Sequence, residues 1–224
     1  MKTFAIIPAA GKGQRFGESL PKQFHQIKGK EILVYTLEIF QNCSLVDEIV
    51  IPTRQEYFKL VFQLAEKYKI TKLKAVIEGG KERQDSVYNA VTSIEAEKND
   101  LVIVHDAARP LLTEKLLAYA VKAAKKYDNI LVAFKGKDTL VRKEKNVLDY
   151  IDRKNIYYVQ TPQIFRYYIL KDSMEKAYKE NFYGTDESML VIKAGYKVEI
   201  VEGPFSNIKI TTPEDLELFE KLVL

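Results

Sequence analysis

Three cations, Lys12, Arg15 and Lys22, fall within one short stretch that reads FAIIPAAGKGQRFGESLPKQF. Directly before and among them stand Ala9, Ala10, Gly11 and Gly13. Side chains this small leave the backbone bare, so a ligand can approach closely and exposed N–H groups can cradle phosphate oxygens. The spacing is not that of a P-loop, because no Gly-Lys-Ser/Thr follows. Nor is it the dinucleotide fingerprint: Phe16 occupies the place of the third glycine. Pro21 stiffens the chain ahead of Lys22 and so restricts where that lysine points. Cations held around such a cradle would neutralise charge developing in phosphoryl or nucleotidyl transfer, where positioning and electrostatics supply most of the catalysis. A tight turn followed by a solvated basic loop would read the same.

Four later stretches carry residues of similar promise. In EGGKERQDSVYNAV, Gly79 and Gly80 permit a close backbone turn, and Arg83 and Ser86 supply donors at the start of a helix. In VIVHDAARP, an apolar strand runs into Asp106, Ala107 and Arg109, at the strand end where open α/β sheets bind ligands. Asp106 offers an oxygen ligand for Mg2+, a partner for a sugar hydroxyl, or an ion pair with Arg109. His105 reads as structural. Thr139 in KDTLV, Arg153 in IDRKN and Thr161 in VQTPQIF follow, with Thr185, Asp186 and Glu187 at a helix start in YGTDESML. In NIKITTPEDL, strand alternation turns Lys209 away from the side taken by Ile208 and Ile210.

The elements that must position these residues alternate. Short Ile- and Val-rich runs (FAIIPAA, EIVIPT, LKAVIEGG, LVIVHDAARP, NILVAFKG, YKVEIVEG) end in Gly, Pro or Asp, as buried parallel strands do. Between them, apolar side chains recur every three or four residues over 32–41, 55–68, 86–96, 113–127 and 167–181, which predicts helices. A last helix has Thr212 as N-cap, Pro213 at its first position and Asp215 in its first turn. The pattern predicts one α/β domain over residues 1–224 with a mostly parallel sheet flanked by helices. Residues 135–160 break the rhythm with strand-like stretches around 138–141, 147–151 and 156–160, separated by polar turns. This reads as a projecting β-arm, too apolar to stand alone, that packs on a second copy of the chain; an antiparallel edge of the main sheet is the other reading.

Several function classes are excluded or weakened. The 224 residues contain two histidines and one cysteine, which argues against a zinc site and against Ser/His or Cys/His chemistry. The single Cys43 cannot form an internal disulfide and suits a reducing, cytoplasmic compartment. No apolar run approaches the roughly 18 residues of a membrane span, and the opening strand lacks the pattern of a signal peptide. A net charge of +4 with interleaved Lys and Glu, and no basic tract, speaks against nucleic acid and for a small phosphorylated ligand.

PAAGKGQRFGESLPKQF, GGKERQDSV, DAARP and NIKIT, which run in order along nearly the whole chain, resemble the signatures of sugar- and polyol-phosphate nucleotidyltransferases. They are most similar to the cytidylyltransferases acting on 2-C-methyl-D-erythritol 4-phosphate in non-mevalonate isoprenoid synthesis. The resemblance implies a Rossmann-like nucleotidyltransferase fold, CTP as co-substrate, Mg2+ and a homodimer interlocked by the arm. It further implies that the loop from Ala9 to Gly13 cradles the triphosphate. The turn of Gly79, Gly80, Arg83 and Ser86 would line the cytosine and ribose pocket, with Asp106 and Ala107 beside it. Arg15 and Lys22 would stabilise the five-coordinate phosphorus. Thr139 and Arg153 would cross the dimer to the methylerythritol phosphate, which Arg109, Thr161, Thr185 and Lys209 would also serve. Lys81 departs from the acidic residue that many members carry. A ribitol-5-phosphate cytidylyltransferase and a non-catalytic nucleotide-binding protein are the alternatives. IIPAAG and DAARP lean away from the first, which often shows LAGG and DSVRP, and the retained cations away from the second.

Overall fold

The computed structural model describes residues 1–11, 20–145 and 147–223. Along the chain, β1 (Thr3–Ile6) leads to a small ribbon of β2 (Gln26–Ile27) and β3 (Lys30–Glu31), then α1 (Ile32–Asn42) and β4 (Glu48–Thr53). Next come α2 (Phe58–Lys67), β5 (Leu73–Glu78), α3 (Arg83–Ser93), β6 (Leu101–Val104), α4 (Glu114–Tyr127) and β7 (Ile130–Lys135). The remainder is β8 (Leu140–Glu144), β9 (Val147–Ile151), β10 (Tyr157–Arg166), α5 (Tyr167–Lys179), α6 (Glu187–Lys193), β11 (Glu199–Glu202) and α7 (Pro213–Leu222).

Seven strands form one sheet in the order β11-β7-β10-β6-β1-β4-β5. Every neighbouring pair is parallel except those of β10, which runs antiparallel to both β6 and β7. Strand alternation sorts the core. Ala5, Ile49, Ile51 and Ile103 pack against Leu33, Leu37 and Phe40 of α1, Val61 of α2 and Leu117 and Val121 of α4. Ile6, Val50, Val102 and Val104 point to the other face, against Val87 and Val91 of α3, Leu170 and Met174 of α5 and Leu190 of α6. Each such Ile, Val, Leu, Phe or Met side chain, fully buried, contributes roughly 1.5–3 kcal/mol. The expected α/β architecture with helices on both faces is observed.

The differences from expectation have local causes. The helix expected from residue 86 starts at Arg83, because Glu82 and Asp85 form a reciprocal capping box there. The pattern over 55–68 divides into a tight turn at Gln55–Tyr57 and α2. The third arm-like stretch is β10, which leaves the arm and enters the middle of the sheet. Its pairing with β7 breaks between Val159 and Gln163, and that irregularity accommodates Pro162, which has no N–H to give a central strand. The projecting part is the β8–β9 hairpin, paired only with itself in the described chain and joined by short segments to β7 and β10.

A third, smaller cluster joins Ile27, Ile32, Ala108, Ile210 and Phe219, with Leu216 and Val223 against it. It docks α7 and the β2–β3 ribbon beside the strand ends. The ribbon turns through Lys28 and Gly29, both at positive φ (50° and 78°), the requirement of a tight two-residue hairpin. At α7, Thr212, Pro213 and Asp215 take the expected capping positions.

Candidate active site

The carboxyl ends of β1, β4, β5 and β6 open onto a cavity of about 980 Å3. Of the residues singled out in the sequence, Ala9, Ala10, Gly11, Lys22, Gly80, Arg83, Ser86, Asp106, Ala107 and Lys209 line it together. Five cationic and two acidic side chains stand among the described lining residues, an excess suited to an anionic ligand. Lys12, Gly13 and Arg15 lie outside the described residues.

The two glycine-bearing loops are fixed by side chains behind them. The Ala9 carbonyl accepts from the Gln23 amide (2.5 Å) and the Thr53 hydroxyl (3.1 Å), while its N–H donates to Pro52 (2.8 Å). Gln23 and Thr53 are buried, so the bare backbone of the first loop rests on a firm base. A Cβ on Gly79 would stand 2.5 Å from that of Ala10, and one on Gly80 would stand 2.1 Å from that of Asp85. The glycines therefore let the two loops and the start of α3 close on one another. Ser86 completes the joint: its hydroxyl accepts from Gly80 N–H (3.0 Å) and donates to Glu82 O (3.1 Å).

Asp106 is the electrostatic centre. Arg83 Nε lies 3.1 Å from its Oδ1, Lys209 Nζ 2.9 Å from its Oδ2 and Arg109 Nε 3.5 Å from Oδ2. Burial alone would raise its pKa, yet Arg83, Lys209 and Arg109 hold it well below the ordinary carboxylate range. Arg83 is locked from behind, its Nη1 donating to both oxygens of the fully buried Glu187 at 2.7 and 2.9 Å. Despite burial, Glu187 and Asp106 raise the Arg83 pKa further. Lys22 reaches the same corner, its Nζ 2.6 Å from the Ile210 carbonyl, next to Lys209. With cations already on both its oxygens, Asp106 in this arrangement does not fit a protein-held Mg2+. Among the described residues no group of three His, Cys, Asp or Glu side chains could hold a metal.

Residues 3–224 match the family model described as IspD, 2-C-methyl-D-erythritol 4-phosphate cytidylyltransferase. The chain belongs to that family. A curated relative of the same description from Clostridium botulinum (strain Langeland) is 42% identical over 224 residues, covering 99% of this chain and 97% of its own. The solved 2-C-methyl-D-erythritol 4-phosphate cytidylyltransferase of Francisella tularensis is 31% identical and covers the whole of both chains with a TM-score of 0.85. The 4-diphosphocytidyl-2C-methyl-D-erythritol synthase of Anaerococcus prevotii is 28% identical, with 99% of this chain and 95% of that one covered and a TM-score of 0.86. The mixed, mostly parallel sheet flanked by helices is thus the fold of the cytidylyltransferase family.

Six of the singled-out residues stand outside the cavity lining. Gly79 lies directly behind Ala10. Arg109 is tied down, its Nη1 donating to Asn207 O (2.7 Å) and its Nη2 to Val159 O (3.4 Å). The Thr161 hydroxyl accepts from the Asp106 N–H (3.1 Å) and meets His105 Nδ1 at 3.0 Å. With His105 Nε2 3.1 Å from Arg109 O, the neutral ring donates there and accepts from Thr161. Burial pushes the His105 pKa down to about 4, which supports the structural reading of that residue. Thr139, Arg153 and Thr185 are exposed, Arg153 donating to the Lys137 carbonyl at the base of the arm.

The sequence pattern alone assigns no role to Gln23, Arg54 or Thr211, and places Glu187 only at a helix start. Gln23 and Thr211 stand inside quoted motifs and could have been found by asking what holds each loop. Arg54, just past β4, lines the cavity with its Nη2 buried and without a hydrogen-bond partner among the described residues. Glu187 was read as part of a helix cap, but its carboxylate serves Arg83, 104 residues earlier.

Proposed function

We propose that this chain transfers a cytidylyl group from CTP to 2-C-methyl-D-erythritol 4-phosphate, releasing pyrophosphate. The observation that carries the reading is the convergence of Lys22, Lys209 and two bare backbone loops on one cavity, within a full-length family match. A phosphate oxygen of the alcohol phosphate attacks the α-phosphorus of CTP in line. A new P–O bond forms, the α–β anhydride bond breaks, and the leaving group departs as pyrophosphate. No protein nucleophile is needed, consistent with a cavity whose described lining holds no Ser-His or Cys-His pair.

In this mechanism the chain's own residues place charge. Ala9–Gly11 offer backbone to the triphosphate, and Lys12 and Gly13, next in the sequence, are assigned to the same ligand. Lys22 and Arg15 oppose the negative charge that grows on the five-coordinate phosphorus. The turn at Gly79 and Gly80, held by Ser86, receives the nucleoside together with Ala107, and Arg83 keeps Asp106 oriented beside it. Lys209 holds the attacking phosphate. Mg2+ would not be held by Asp106; brought in with the nucleotide, it would offset the negative charge of the leaving group.

The alcohol phosphate requires more than one chain in this proposal. Arg153 and Thr139 would reach a second copy's cavity from the arm, in a cytoplasmic homodimer. The support is the apolar surface of the hairpin, with Val147, Leu148 and Tyr150 each more than 60% exposed. Thr185, Thr161 and Arg109 would complete that half, the last two by fixing Asp106 and the strand beneath it. No helix among the described residues is long and apolar enough to cross a membrane.

The test is pyrophosphate release from CTP and Mg2+ with methylerythritol phosphate or ribitol 5-phosphate in parallel. Turnover with methylerythritol phosphate alone is expected. Turnover with ribitol 5-phosphate alone would keep the mechanism and replace the substrate; silence with both would remove the proposal.

A further inference from the structure

Three cations share the carboxylate of Asp106, but they are not equally held. Arg83 is fixed from behind by two hydrogen bonds to Glu187. Arg109 is fixed by the carbonyls of Asn207 and Val159. For Lys209 the ion pair with Asp106 Oδ2 at 2.9 Å is the anchor, and its side chain is 38% exposed at the cavity wall. Its backbone is held close by: Ile210 just after it is fully buried, with its N–H donating to Ala108 O at 2.8 Å, and Asn207 two residues before it is fully buried as well. Only the four-carbon stem of Lys209 is able to move, and a compact ammonium on a flexible stem exchanges partners more readily than a guanidinium held at two or three points.

We propose that Asp106 stores Lys209 as an exchangeable cation, which an entering polyphosphate takes from the carboxylate and thereby sets between the triphosphate and the place of the attacking phosphate. This rests on the reading of the cavity as a nucleoside triphosphate site. On exchange, Asp106 keeps Arg83 and Arg109 as counter-ions, so its charge is never left buried and unpaired. The consequence runs against intuition for a residue of the site: removing the carboxylate strengthens binding of a bare polyphosphate, because Lys209 no longer has to leave a partner.

Pyrophosphate is the probe, since its binding asks nothing about the alcohol substrate. By calorimetry, Asp106→Asn is expected to bind it about 3- to 5-fold more tightly than the unmodified protein, the size of a partly exposed ion pair. In a Lys209→Met background the same substitution is expected to change affinity less than about twofold, the signature of coupling between the two residues. An equal gain in both backgrounds would reduce the effect to the general field of a lost charge and overturn the exchange. So would no gain, weaker binding, or no binding to any variant. A crystal structure of the unmodified protein with pyrophosphate tests the same point without a substitution. Lys209 Nζ is expected on a phosphate oxygen and out of contact with Asp106; an intact ion pair beside bound pyrophosphate would refute the idea. Failure of the turnover assay would leave these binding results standing, and the reverse also holds.

Discussion

The cavity and the arm are built on opposite rules. At the cavity, charged groups are drawn inside and paired: Asp106 and Glu187 are buried, and Arg83 bridges them. At the arm, apolar groups are pushed outside: Tyr150 is 73% exposed, Val147 66% and Leu148 61%, on a hairpin that among the described residues pairs only with itself. A buried charge network marks a site complete in its own scaffold, whereas an exposed apolar hairpin marks one that needs another surface. The difference teaches where to look for each substrate. In the proposed function, the nucleotide half is assembled from one chain and the alcohol-phosphate half borrows from a second.

The sharpest way to break this division is at Lys22. Lys22→Ala is expected to lower kcat by about 100- to 1,000-fold while changing the KM for CTP only a few-fold, as for a charge used in the transition state. Steady-state kinetics decides it, and equal losses in kcat and CTP affinity would assign Lys22 to ground-state binding. On the arm, the pair Leu148→Asp with Tyr150→Asp is expected to convert dimer to monomer in sedimentation. It should cut turnover by about tenfold or more while CTP binding survives. A dimer that persists with full activity would detach the arm from function.

Smaller effects sharpen the scaffold side. Gly80→Ala drives a Cβ to 2.1 Å from Asp85 and is expected to cost about 1–3 kcal/mol of stability, read by denaturant unfolding, together with weakened CTP binding. The last concerns pH. His105 is neutral when folded, with its pKa near 4 against an ordinary value of 6.5. Between those values the unfolded chain binds the additional proton, so the stability it contributes is present above pH 6.5 and is lost as pH falls toward 4. The loss amounts to at most about 3 kcal/mol. His105→Gln is expected to flatten that part of the stability–pH curve; an unchanged slope would place the titration elsewhere.

Much of the first half of this picture was legible in the chain. The letters AAGKG and GG announce bare backbone, and strand–loop alternation puts them at one end of a parallel sheet. What escaped was set by distance or by disguise. The lock on Arg83 comes from Glu187, which lies far along the sequence behind an ordinary capping pattern. Strand β10 hid its central place because Pro162 argues against a strand, and only the register break beside it reconciles the two. Arg109 was legible as an ion partner of Asp106, but its ties to Asn207 and Val159 and the hold of Thr161 on the Asp106 N–H were not, because those partners are carbonyls and an N–H common to every residue.

The claim that one chain's arm serves another chain's cavity is tested most directly by mixing two inactive variants. Lys22→Ala damages a cavity and leaves its arm intact; Arg153→Ala does the reverse. If arms cross, each mixed dimer restores one sound cavity with one sound arm, and an equal mixture should recover roughly a quarter of the activity of the unmodified protein. An equal mixture that exchanges subunits yet stays as inactive as its parents would contradict the account, and would confine each arm to its own chain.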